Sequence, residues 1–270
     1  MPFTGAHPLA VYPLRKLRWL DWTGLVIGAT APDWEYFLSL RHQSVIGHTI
    51  IGLLTFCLPV GLTLWVLFEG IVEKPLILLA PRAWRERLWS RRRRGVPSPN
   101  RVLAVAASIL VGAATHVAWD SLTEPSSWLM QWIPAVGGDL IRIGDWPLTG
   151  YRAIQHGSTV IGLLALGWAS WRWFRRAETT PAPQLPPAVL WSTRLLLIVT
   201  PLAFAFLGVL PDLRAAGGIT DLRRPISDFV IITIAAASVC VLLVCSAMQL
   251  SDLVRRTGKR LGDSATDAGR

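Results

Sequence analysis

Residues 45–68 read VIGHTIIGLLTFCLPVGLTLWVLF, a run in which His48 is the single residue of the His, Asp, Glu, Lys or Arg types. About 20 consecutive apolar residues are enough for a helix to cross the hydrocarbon core of a bilayer. Four further stretches repeat the pattern: 102–119, with His116 near its end; 154–174, with His156 near its start and Arg172 near its end; 189–210, with Arg194; and 226–248, with Asp228. The whole chain agrees with this reading. Of 270 residues, 52% are hydrophobic and 16% charged, where a soluble domain carries about 25% charged residues, and mean hydropathy is +0.43. A soluble globular domain is excluded, and so is disorder, which needs low hydrophobicity. The expected fold class is all-α: a polytopic membrane helical bundle of five transmembrane helices preceded by an N-terminal helical hairpin.

Sidedness follows from Lys and Arg in the loops. Residues 69–101 carry nine, including the run at 91–94; residues 172–188 carry three and the tail from 249 carries five. The intervening loops, 120–153 and 211–225, carry two and three. The first set is therefore expected on the cytoplasmic face of the inner (plasma) membrane, with the C-terminus cytoplasmic. Topology thus places most of the +10 net charge. Attraction to anionic lipid heads suffices for the arginine run, so no nucleic-acid partner is expected.

The first 44 residues lack a charged segment ahead of an apolar core and a small-residue cleavage site, so a cleaved signal peptide is not expected. Pro8 can open a helix, read as running to Leu20. A second apolar stretch, 22–31, returns to Pro32-Asp33. The two arms suggest a membrane-embedded hairpin, with Gly24 and Gly28 forming a small-residue face for a neighbouring helix. The alternative is a surface helix followed by one broken span, which puts His7 on the cytoplasmic side. The organisation is then a membrane-embedded site region (1–174), a Pro-rich linker (175–188), two accessory spans (189–248) and a basic tail (249–270). Cys57, Cys240 and Cys245 lie in apolar runs without CxxC spacing and read as small buried hydrophobes.

On the hairpin topology, His7, Asp33, His48, His116, Asp120 and His156 gather in the outer leaflet; of the five histidines only His42 is left over. Ionisable groups in a membrane cost several kcal/mol unless paired, hydrated or coordinated. Singly, each has a plain explanation: a cap, an interfacial histidine on backbone, a His116–Asp120 pair bonding only itself. Jointly they point to a metal. His116 and Asp120 stand four apart, on one helix face. Imidazole with carboxylate suits zinc, and also manganese or iron, with donors enough for one or two ions. No HExxH, GxSxG or GxxxxGK[ST] motif is present.

These residues also carry a resemblance. Met1-Pro2-Phe3-Thr4 with His7-Pro8, the segment Gly28-Ala29-Thr30-Ala31-Pro32-Asp33, Gly47-His48-Thr49, Thr115-His116 through Asp120 to Thr123, and Gln155-His156-Gly157-Ser158 resemble an uncharacterised bacterial membrane family, domain of unknown function 4184, over about residues 1–170. The order of donors is also similar to inner-membrane proteins described as metal-dependent hydrolases and, more distantly, to the all-helical zinc-dependent phospholipase C superfamily. The resemblance implies His7, Asp33, His48, His116, Asp120 and His156 as ligands and phosphoester hydrolysis as chemistry. One departure stands out: where the phospholipases place an acidic ligand four residues after the last His, this chain has Val160.

The expected activity is metal-assisted hydrolysis of a phosphoester or phospholipid headgroup at the outer interface, with Asp33 or Asp120 orienting the water. Glu35 and Glu124 are spare carboxylates that could assist as acid or base but read first as surface residues. Trp128, Trp132 and Trp146 could form a lid over the site or simply an aromatic belt. Arg142 and Arg152 could bind phosphate or be ordinary surface charges. The competing class is a non-catalytic transporter or scaffold whose His/Asp cluster is structural or ion-conducting. Neither internal repeats nor midplane charges, the usual marks of a transporter, are found.

Overall fold

The computed structural model describes residues 3–40, 44–92, 95–123, 132, 138–143, 146–215, 218 and 222–268. Helices dominate it. Four are long and apolar enough to cross a membrane: Ile50–Leu79, Pro99–Asp120, Pro187–Ala215 and Arg224–Arg255. The fifth expected span forms as a helix, Gly150–Arg176, but is not among those four. A short antiparallel hairpin, Asp139–Ile143 against Trp146–Thr149, interrupts the helical pattern within the 120–153 loop.

The boundaries differ from expectation where local chemistry intervenes. The first span starts at Ile50 because Thr49 caps it, its side chain accepting from the Gly52 amide. It then continues to Leu79 through two π-helical turns, Leu53–Cys57 and Phe68–Val72. Pro59 and Pro75 follow those turns. A proline removes an N–H and crowds the carbonyl four residues back, and a widened turn relieves both while the helix continues. The helix opened by Pro8 ends at Val11 and gives way to the 3-10 segment Tyr12–Lys16, where Pro13 withholds a donor.

The chain divides into two compact units. The first comprises Met1–Ser39, Gln43–Trp65 and Gly95–Ala177. In it, the short helix Trp22–Gly28 lies directly on Pro99–Asp120. A Cβ at Gly28 would stand 2.2 Å from the Ile109 carbonyl oxygen, and one at Gly112 would stand 2.5 Å from that of Leu25. Neither position can carry a side chain at this separation. Asp21 caps the short helix on the Gly24 amide and pairs with Arg101 Nε at 3.3 Å.

The second unit comprises Leu40–His42, Val66–Arg94 and Glu178–Arg270. Its two long helices pack together, Gly208 facing Ile232. The charges of the apolar runs 189–210 and 226–248 both have partners: Arg194 Nε donates to the Leu79 carbonyl at 2.8 Å, satisfying a helix C-terminus, and Asp228 pairs with Arg224 one turn away at 3.7 Å. Cys57 and Cys245 are buried without disulfides, and Cys240 is half-buried.

Candidate metal centre

The buried end of Pro99–Asp120 carries the site. Val105, Ser108, Ile109, Gly112 and Ala113 bury one helix stripe, and His116 and Asp120 continue it. Small residues let the Trp22–Gly28 arm come close, and the chain leaving that arm turns at Ala31–Asp33. Asp33 therefore arrives beside His116. The same fold-back brings the N-terminus in: the Thr4 hydroxyl donates to Asp33 Oδ2 at 2.5 Å. His7, stacked on His116, and Asp33, beside the same ring, thus come to one place.

Asp33, His48, His116 and Asp120 each offer a ligand atom, all within 4.8 Å of one another. His116 Nε2 is 3.4 Å from Asp33 Oδ1 and 3.3 Å from Asp120 Oδ2. His48 Nε2 is 3.5 Å and 3.3 Å from the same two oxygens. Asp33 and His116 are fully buried and Asp120 nearly so, while His48 keeps 17% of its side chain exposed. Asp33 Oδ1, both Asp120 oxygens and both Nε2 atoms are buried and make no hydrogen bond among the described residues. Buried polar atoms left in that state cost about 1–3 kcal/mol each.

The other side of each imidazole fixes its tautomer. His116 Nδ1 lies 2.8 Å from the Ala29 carbonyl oxygen, which can only accept, so Nδ1 carries the proton. His48 Nδ1 lies 2.8 Å from the Ser44 hydroxyl, whose single proton goes to Glu35 Oε2 at 2.7 Å. Ser44 thus accepts from Nδ1–H. Both neutral rings then turn an Nε2 lone pair toward two carboxylates, an arrangement that repels unless a cation lies between. Protonating both rings would also balance the charge. Yet a charge-assisted N–H···O bond closes to about 2.7–2.9 Å, shorter than any of these four contacts. Donors held about 2.0–2.1 Å from a common tetrahedral ion stand about 3.3–3.4 Å apart. The four His–Asp spacings of 3.3–3.5 Å fit the second case, with all four donor atoms within 4.8 Å of one another. The donor set therefore fits a metal ion.

His7 and His156 stand differently. His7 stacks on His116, with ring centroids 3.7 Å apart, and its Nε2 is 3.6 Å from Asp120 Oδ1. It borders the group of four as an outer neighbour. His156 is exposed on Gly150–Arg176 and is not among the grouped donors, a correction to the six-ligand set. It sits within a helix that begins at Gly150, so its ring follows that helix rather than the cluster. Val160, the place of the missing acid, is exposed too.

Glu35, expected at the surface, has a defined task. Its carboxylate accepts from the amides of Val45 at 2.8 Å, Ile46 at 3.1 Å and Gly47 at 2.6 Å, besides the Ser44 hydroxyl. Burial raises its pKa, but the amides of Gly47 and Val45, with Ser44 and Ile46, outweigh that and bring it to about 2. The carboxylate thereby holds the 44–47 turn that presents His48. Gly47 is required there, since a Cβ would stand 2.6 Å from the Pro32 carbonyl oxygen. Sequence reading missed the positioning role of Glu35, and missed Ser44 and the Ala29 carbonyl, because none has a distinctive spacing to the donor it serves.

Glu124, Trp128 and the rest of the Trp-rich segment fall outside the described residues, except Trp132, which is exposed. Trp146 and Arg142 are described only as strand backbone. Arg152 lies over the Tyr151 ring at 5.8 Å.

A family model described as Domain of unknown function (DUF4184) matches residues 1–248. The chain belongs to that family, and the match extends through the last two spans as well as the site. No curated protein and no solved structure matches it.

Proposed function

We propose that this DUF4184 family member is an integral-membrane, metal-dependent hydrolase of phosphoesters or phospholipid headgroups. Asp33, His48, His116 and Asp120 would hold one divalent cation, zinc first by donor chemistry, with manganese or iron as alternatives. The single observation that carries the reading is the convergence of two imidazole and two carboxylate donors, buried and without hydrogen-bond partners at the shared point. With neutral histidines the group carries two negative charges, which a divalent ion balances.

Such an ion, when bound, lowers the pKa of water toward about 7 and offsets charge developing on phosphorus. The protein's residues do the rest. Ala29 and the Glu35–Ser44 pair hold the two rings in register, as outer partners of metal-binding histidines commonly do. Asp120 Oδ1, the carboxylate oxygen facing His7, is placed to take the proton of the attacking water. As the water oxygen bonds to phosphorus and the ester bond breaks, that proton returns to the leaving oxygen. His7 Nε2 beside Asp120 stabilises the carboxyl in either state. The partly exposed edge of His48 is the side from which a substrate reaches the group. The positive-inside bias sets the site toward the outer face of the inner membrane.

A second reading has its own support. Four protein donors with so little exposure are also what a closed, structural metal site has, whereas catalytic sites keep an open position. On that reading the protein is a non-catalytic transporter or scaffold. One experiment separates the two. Purified wild-type protein is analysed for metal and assayed on p-nitrophenyl phosphodiesters and on phospholipid vesicles, beside His116→Ala and Asp120→Ala. Hydrolysis is supported by about one ion per chain and turnover, both lost in the variants. Metal lost in the variants with no turnover in the wild type favours the structural site. Wild-type protein that binds no divalent ion overturns both.

A further inference from the structure

A separate cavity of about 610 Å³ lies wholly within the second unit. Lys74, Trp89, Arg92, Pro186, Asp252 and Arg255 are among its lining residues. Three spans meet it where their apolar stretches give way to charge: Ile50–Leu79 supplies Lys74, Pro187–Ala215 begins at its rim, and the helix Arg223–Ala268 supplies Asp252 and Arg255 just past its apolar run. A cavity bounded by span ends sits at headgroup depth, and the Lys/Arg count assigns this side to the cytoplasm.

Its chemistry is cationic and aromatic. Lys74, Arg92 and Arg255 face one carboxylate, Asp252, which is already paired with Lys74. The guanidinium of Arg92 lies over the Trp89 ring at 4.7 Å, and its Nε is buried with no hydrogen-bond partner among the described residues. An Arg plane stacked on an aromatic ring with an unsatisfied N–H is set to receive a planar or tetrahedral oxyanion. Polybasic pockets between span ends on the cytoplasmic side are where anionic lipid heads are held.

We infer that this cavity binds the phosphate of an anionic phospholipid, with Arg92 and Arg255 as its principal contacts and Trp89 as the platform that orients Arg92. The inference is independent of the metal centre, and its failure leaves that reading untouched.

The test uses full-length protein purified in an uncharged detergent. Phosphatidylglycerol, cardiolipin, phosphatidylcholine and inorganic phosphate are titrated separately, with bound lipid counted by native mass spectrometry and stabilisation followed by thermal unfolding. The expected result is one tightly held phosphatidylglycerol or cardiolipin per chain, bound at least about fivefold more tightly than phosphatidylcholine. Arg92→Ala and Arg255→Ala each weaken binding about fivefold, while Arg91→Ala, in the same basic run but outside the lining, leaves it unchanged. Asp252→Asn, which removes the negative charge, strengthens binding and tests the site even where an Arg variant fails to fold. Equal binding of charged and zwitterionic lipid, equal effects of Arg91→Ala and Arg92→Ala, or weaker binding by Asp252→Asn overturns the inference. Inorganic phosphate stabilising the protein as strongly as the lipid overturns the lipid as the source of the anion.

Discussion

Two membrane-length helices of this chain invite comparison. Pro99–Asp120 has 33% of its most apolar window buried within the protein, against 11% for Arg224–Arg255. The first is the less apolar of the two, at a mean hydropathy of 1.9 against 2.7, yet it is the one that packs. Ala, Gly and Ser along it admit a neighbouring backbone at close range, and that closeness excludes lipid from its His116–Asp120 end. The second presents larger side chains, among them the exposed Val230, Val239 and Leu243, and its Asp228 pairs with Arg224 one turn away. Between apolar helices in lipid there is little hydrophobic drive, so packing goes to helices whose small residues permit approach. Chemistry follows packing, because donors can converge only where protein surrounds them.

The sharpest way to break the contrast is to remove a carboxylate from each helix. Asp120→Ala is expected to abolish retention of divalent metal, read as ions per chain after dialysis. Asp228→Ala removes a partly exposed i,i+4 pair, and stability should change by no more than about 0.5 kcal/mol. Similar outcomes for the two would mean the buried cluster is no more than an ordinary ion-pair group. A second test exchanges glycines. Gly112→Ala forces a methyl into backbone of the Trp22–Gly28 arm and should cost about 1–3 kcal/mol, measured by denaturation in mixed micelles. Gly208→Ala meets only the flexible end of Ile232 at 3.3 Å and should cost well under half of that.

The sequence displayed much of this contrast. Apolar runs located four of the helices but not all their ends, the first running on from residue 68 to Leu79 and the last from 248 to Ala268, because hydropathy decides whether a segment crosses a membrane and not where its helix stops. Gly24 and Gly28 announced the close helix contact, since a small face is a local pattern. Asp33, His48, His116 and Asp120 were legible as a set because their cost in a membrane has to be met by something nearby. His156 looked equivalent on those grounds. Nothing in a linear pattern gives the rotation of one helix relative to another, and rotation separates an exposed histidine from a grouped one. The hold on the 44–47 turn ahead of the first span was illegible for a related reason. It depends on Glu35 gathering amides from a turn ten residues on, a contact with no periodicity to betray it.

Glu35 sharpens the comparison from the other side, since it acts on the site without touching it. Glu35→Gln keeps the shape but loses charge and one acceptor oxygen, so the 44–47 turn loosens and His48 is less well held. Metal affinity should fall about 10- to 100-fold, the usual range for outer-shell partners, with His116 still bonded to Ala29. A competition titration against a chelator reads this directly, and an unchanged affinity would reduce Glu35 to a structural pin.

The smallest expected effect is a pH response. A carboxylate held near 2 against an ordinary 4.5 favours the folded turn at every pH above 4.5, and that contribution declines only as pH falls from 4.5 through about 2. Hydrogen exchange at the Val45, Ile46 and Gly47 amides, corrected for intrinsic rates, should therefore show undiminished protection between pH 7 and pH 5. Protection that collapses already near pH 5 would mean that the amides do not stabilise the Glu35 charge. The turn would then be held by Thr49 and Gly47, and His48 would owe its position to the start of the helix rather than to the Glu35 carboxylate.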